Sequence, residues 1–204
     1  MRSNDMIALG LGALGVAVFG AWFVMQNTAN AQSGPVEDGP GPNLVIEVGG
    51  QNEGRVVIDL AEDLAPKHVE RFVTLANEGA YNNVAFHRVI EGFMAQTGDV
   101  QHAKMDGDLV RAGTGASSYP DLEAEFTDTS FARGVVGMAR SASPDSANSQ
   151  FFIMFAPAPH LNGEYTVVGH VIEGMDVVDG IKRGTGPGGS VQDPDYMVSV
   201  TVEE

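Results

Sequence analysis

The chain has 204 residues, enough for one well-filled domain plus a short extension, and its 26 glycines and 10 prolines mark a turn-rich globular protein. Its formal net charge is −16, from 27 acidic and 11 basic residues with no basic cluster, which excludes the phosphate-binding footprint of a nucleic-acid partner and opposes anionic lipid headgroups. Cysteine is absent, so disulfides, a thiolate nucleophile and Cys-based metal sites are excluded.

From Met6 to Met25 the chain carries no charge, with Arg2 and Asp5 ahead of the run. Such a run is just long enough to cross a bilayer as a helix. Ala29 and Ala31 then give the small-x-small pattern of an export signal cleaved after Ala31. A cleaved signal peptide over 1–31 and an uncleaved inner-membrane anchor over 6–25 are both open. Either one delivers the same domain to the periplasm or another exported compartment, and the domain itself is not membrane-embedded. Residues 32–43 are polar and full of Gly and Pro, the composition of a flexible linker before a domain over 44–204.

Within that domain, Leu44–Val48 and Arg55–Leu60 alternate as strands across a Gly49-Gly50-Gln51-Asn52 turn and predict a hairpin. Pro66 to Glu78 predicts a helix: Pro suits its first turn, Val69, Phe72, Val73 and Ala76 form one apolar stripe, and Gly79 stops it. Short strands follow at Ala85–Val89, Phe93–Thr97, Val135–Ala139, Phe151–Phe155 and Thr166–His170, each bounded by turn residues. Between Gly98 and Asp128 the polar, Gly-rich composition predicts loop, broken by a short turn near Leu122–Phe126. Met175–Ile181 predicts a second helix and Tyr196–Val202 a closing strand. The pattern is that of a mainly β domain with two helices, and either an antiparallel barrel or a sandwich satisfies it.

The run from Phe86, His87 and Arg88 through Gly92, Phe93, Met94, Ala95 and Gln96 to Gly98 and Asp99 closely resembles the signature of the cyclophilin-type peptidyl-prolyl cis-trans isomerases. Gly137-Met138-Ala139-Arg140, Asn148-Ser149-Gln150-Phe151-Phe152-Ile153 and Leu161-Asn162-Gly163-Glu164-Tyr165 continue it in order, so that the resemblance covers roughly residues 44 to 202. It implies an exported, bacterial-like member with a closed eight-stranded antiparallel barrel capped by two helices. It also implies an enzyme acting as a monomer, without cofactor or metal, on proline-containing unfolded or folding polypeptides.

The chemistry implied is rotation about an X-Pro bond, slow because it breaks C–N resonance although the trans form is only slightly preferred. No bond is cleaved. A donor aimed at the prolyl nitrogen favours the twisted amide, and a fixed guanidinium delivers one well. By the resemblance Arg88 is that donor and Gln96 its polar partner. Phe93, Met94, Phe152 and Leu161 match positions that grip the proline ring, while Ala139 and Arg140 match positions that contact the substrate backbone. His160 stands where many eukaryotic members carry Trp, Arg140 where they carry Asn, and Glu164 and Tyr165 replace basic or His positions, giving a more acidic rim. His87, Phe86, Phe151 and Ile153 point the other way on alternating strands and are expected in the core.

Other chemistries find little support. Ser149, His87 or His160, and Asp99 name the parts of a hydrolase, but no nucleophile elbow surrounds them. His102, Asp106 and Asp108 lack metal-site spacing, and Gly113-Thr114-Gly115 lacks the lysine of a phosphate loop. The alternative of a different class is a proline-peptide binding or holdase module whose turnover is incidental.

Overall fold

The computed structural model describes residues 37–186 and 188–204. The apolar run and export signal expected over 1–31, and residues 32–36 of the expected linker, lie outside the described residues. Strand β1 (Asn43–Gly49) pairs antiparallel with β2 (Gly54–Leu60), as the hairpin pattern predicts. Asp195 ties the hairpin down, its Oδ1 accepting from Gln51 N at 2.7 Å and Asn52 N at 3.1 Å.

Helix α1 (Pro66–Asn77) begins at Pro66 and is closed off just past its C-cap Glu78 by Gly79, whose φ of +67° lies in the left-handed region that suits glycine. It buries Val69, Phe72, Leu75 and Ala76 against β1 and the last strand. His68 and Arg71 are buried on the same helix, which the apolar stripe alone does not indicate. The residue before the helix is Ala65, which offers no capping oxygen. Glu125 takes that role from a distant loop, accepting from Lys67 N at 3.3 Å and His68 N at 3.2 Å. Its carboxylate also lies 2.6 Å from His68 Nδ1, which accounts for the burial of that ring.

Seven further strands follow: β3 (Val84–Ala85), β4 (Arg88–Ile90), β5 (Met94–Thr97), β6 (Val135–Met138), β7 (Phe151–Met154), β8 (Val167–Glu173) and β9 (Tyr196–Glu203). Helix α2 (Met175–Gly180) packs on β2. The sheet is antiparallel throughout, in the order β3-β9-β1-β2-β8-β6-β7-β5-β4.

This order corrects the expected closed eight-stranded barrel. The sheet has nine strands, curls through 296°, and leaves its edges β3 and β4 9 Å apart with no ladder between them. The predicted strand Ala85–Val89 breaks at Phe86 and His87, so that one half pairs with β9 and the other with β5. The chain itself crosses the seam there. Phe86 N donates to Asp195 O at 2.9 Å, and Val191 N donates to His87 O at 3.1 Å. Thr97 Oγ1 reaches across to Ala85 O at 2.9 Å. Loop and side-chain bonds thus protect edges that a ladder would otherwise join.

The long loop after β5 also differs in detail. Its one helical turn is the 3-10 turn Leu109–Arg111, where Asp108 accepts from Val110 N, and Leu122–Phe126 forms no turn, with Leu122 bridging Ala147.

Strand alternation separates two apolar clusters. On β7, Phe151 and Ile153 face the main core with Phe72, Tyr81 and Phe86, while Phe152 and Met154 face outward into a smaller cluster with Met94, Phe131 and Leu161. The candidate site is built on this outer cluster.

Candidate active site

Register lines up the site. Arg88 on β4 stands opposite Gln96 on β5, Gln96 opposite Phe152 on β7, and Phe152 opposite Gly137 on β6, a single row across four strands on the outward face. Gly137 is required in that row. A Cβ there would stand 2.5 Å from Phe152 Cζ and 2.6 Å from Phe131 Cε1, within the stacked pair those two rings form at 5.8 Å.

Beside the row opens a pocket of about 190 Å³ lined by Arg88, Phe93, Met94, Gln96, Ala139, Arg140, Phe152, Leu161 and Tyr165. Eight of the nine predicted site residues therefore converge on one cavity. The ninth, His160, stands outside it, exposed on the rim and stacked on Phe93 at 5.9 Å between ring centroids. A larger pocket of about 390 Å³ adjoins the first, sharing Gln96, Ala139 and Arg140 and extending over Gly113–Ala116 and Ser146.

Arg88 is held from two sides. Its Nε donates to Gly188 O at 3.0 Å, and its Nη1 donates to Gln96 Oε1 at 3.1 Å while lying 3.9 Å from Met94 Sδ. Among the described residues Nη2 makes no hydrogen bond. The result is a guanidinium fixed in its plane with donors left over at an apolar wall.

Arg140 lines the pocket, and its side chain is tied to the rim. Its Nε and Nη2 donate to Glu164 O at 3.1 and 3.0 Å, its Nη1 donates to Ser141 O at 3.0 Å, and its charge lies 4.5 Å over the Tyr165 ring. The side chain joins two rim segments and forms the partition between the pockets.

His87 lies behind Arg88, only 7% exposed, with neither ring nitrogen hydrogen-bonded, and burial lowers its pKa. The named hydrolase parts do not assemble. Asp99 is fully buried and receives four backbone N–H groups, from Gln101, His102, Gly113 and Gly115, while Ser149 Oγ is buried without a partner.

The family profile described as cyclophilin-type peptidyl-prolyl cis-trans isomerase/CLD matches residues 44–202. The chain belongs to this family. A Brucella suis protein described as "probable peptidyl-prolyl cis-trans isomerase" is 52% identical over 190 residues, covering 92% of this cyclophilin and 95% of the relative. A Helicobacter pylori peptidyl-prolyl cis-trans isomerase is 40% identical over 136 residues, 65% of this chain and 77% of that one. Among solved structures, a cyclophilin-type isomerase of Cryptosporidium parvum, crystallised in the presence of the dipeptide Ala-Pro, matches with a TM-score of 0.68 and 25% identity over 79% of this chain and 99% of that chain.

One residue of this cyclophilin's site was given no role by the motif reading, and another lies deeper than expected. Tyr165, expected at the rim, lines the pocket itself and meets Phe152 edge-on at 5.8 Å. Gln150 backs Gln96, its Oε1 accepting from Gln96 Nε2 at 3.0 Å. Its signal was alternation, because Gln150 shares the face of Phe152 two residues on.

Proposed function

We propose that this cyclophilin isomerises X-Pro bonds by seating the proline ring in the pocket walled by Phe93, Met94, Phe152 and Leu161 while Arg88 donates to the prolyl nitrogen. Catalysis on X-Pro bonds is its activity; the assignment of roles is our reading. The observation that carries it is the Arg88 guanidinium, anchored through Nε and Nη1 at the pocket wall with Nη2 making no hydrogen bond among the described residues. In the planar amide the nitrogen lone pair is delocalised and accepts poorly. On twisting by rotation it localises, and a positioned donor then binds the transition state more strongly than either ground state. The flat rings and Met94 hold the pyrrolidine while the preceding residue turns.

The test is NMR exchange on a short proline peptide. Arg88→Ala should lose about tenfold or more in kcat/KM, ~1.4 kcal/mol of transition-state stabilisation, while still binding the peptide. Equal turnover by the variant would remove Arg88 from the mechanism.

We also propose that the domain works outside the cytoplasm on folding polypeptides, supported by the charge-free run over residues 6–25 and the Ala29-x-Ala31 pattern in the sequence. Fractionation of bacterial cells expressing the full chain checks this. A periplasmic form beginning at Gln32 means a cleaved signal, and an intact form in the membrane fraction means an anchor. Intact protein in the cytosolic fraction alone would overturn export.

A further inference from the structure

We propose that Gly189 is a positioning residue for the isomerase reaction, aiming the carbonyl of Gly188 that holds Arg88 by its Nε, a placement that rests on the role given to Arg88 above. The loop that crosses the open seam of the sheet thereby also sets the donor of the active site.

That loop runs from Lys182 to Asp195, between α2 and β9. Its neck is shut by Lys182 N, which donates to Oδ2 of the buried Asp195 at 2.8 Å. Its tip lies along β4, the edge strand that carries Arg88. Val89 N donates to Gly189 O at 2.8 Å and Gly184 N donates to Val89 O at 2.9 Å, one residue from Arg88. Within the tip, Thr185 N donates to Ser190 O at 3.0 Å and Gly189 N donates to Gly186 O at 3.2 Å. The tip is registered on the backbone of β4, and Gly188 O accepts from Arg88 Nε at 3.0 Å from a fixed place.

The direction of that carbonyl is decided at Gly189. The Gly188 oxygen belongs to the planar peptide unit that the φ of Gly189 turns, and this φ is +69°, in the left-handed region. Gly189 is also buried, and a Cβ there would run into Ile90 Cγ1 and stand 3.1 Å from Val89 O. Gly184 meets the same turn from its other side, where a Cβ would run into Gly189 O. A side chain at either position displaces the peptide whose oxygen Arg88 uses.

Two anchors do what one cannot. Held only through Nη1 by Gln96 Oε1, the guanidinium can pivot about that single bond on its long arm. A second acceptor at Nε fixes its plane, and a donor fixed beforehand needs no ordering when the amide twists. Neither Gly188 nor Gly189 lines either pocket of the site, so their effect on turnover passes through Arg88.

The test compares Gly189→Ala and Gly184→Ala with Gly79→Ala, which carries left-handed strain at a φ of +67° outside the site. On a proline peptide the two loop variants should lose about fivefold in kcat with KM within about twofold of wild type, and Gly79→Ala should keep the wild-type kcat. The NMR signal of the Arg88 Nε–H, identified as the one that Arg88→Ala deletes, should exchange slowly with water in the wild type and rapidly in both loop variants. A general loss of packing would not single out that proton. Adding Gly189→Ala to Arg88→Ala should cause no further loss, since no guanidinium is left to position.

Wild-type kcat in both loop variants, a lost kcat with the Nε–H still protected, an equal loss in Gly79→Ala, or additive losses in the double variant would each overturn the role of Gly189. If Arg88→Ala is itself silent, the underlying reading of Arg88 fails; if it is impaired while the loop variants are not, only the role of the loop fails.

Discussion

Arg140 shows what a motif leaves unsaid about a single position. Aligned by motif, it is a residue whose backbone faces substrate. In the fold its side chain joins Glu164 O to Ser141 O and lies over Tyr165, so a planar cation bridges two rim segments that are separated along the chain. Such a bridge ties Glu164 to Ser141 at the pocket wall. Arg140→Ala should therefore raise KM by roughly fivefold, about 1 kcal/mol for the lost stacking and hydrogen bonds, with kcat little changed. Steady-state kinetics on a proline peptide checks this. Arg140→Lys should not restore the wild-type KM, since an ammonium cannot serve both segments and the ring at once.

At the scale of elements, the site depends on β7 splitting its side chains cleanly between two apolar clusters. Phe151 and Ile153 stabilise the main core, and Phe152 walls the pocket only because Gly137 opposite leaves it room. Gly137→Ala should overpack that spot and destabilise the protein by about 1–3 kcal/mol, measured by urea denaturation, with Phe152 displaced toward the pocket and KM raised. Unchanged stability and KM would show that the aromatic pair relaxes freely. The edge strands make the opposite point. Ala85–Val89 reads as one strand, yet its halves belong to different edges of the sheet.

Over the whole molecule, two buried histidines couple stability to pH. Burial lowers the pKa of His87, and it lowers that of His68 despite the adjoining Glu125 carboxylate. Both are neutral in the fold at neutral pH, and both would take up a proton near pH 6.5 once unfolded. Their contribution is therefore intact above that value. As pH falls through it, the unfolded state binds protons that the folded state refuses, and stability drops by up to about 1.4 kcal/mol per pH unit for each ring. Thermal melts across this range should show that loss, and His87→Leu should flatten the profile relative to wild type. Parallel profiles for the two proteins would mean that His87 takes up its proton equally well when folded.

Local pattern alone determined the hairpin, both helices and most strands, because turn residues and side-chain periodicity are written in neighbouring positions. The motif blocks likewise placed eight pocket residues together, since alternation assigns Arg88, Gln96 and Phe152 to one face of their strands. Tertiary structure decided the rest. The open seam at Phe86 and His87, the capping of α1 by Glu125, the rim bridge of Arg140 and the amide contact of Gln150 with Gln96 all join residues far apart in the chain. Periodicity records which face a side chain occupies, but what covers that face is settled only when distant segments pack and their buried polar groups are paired.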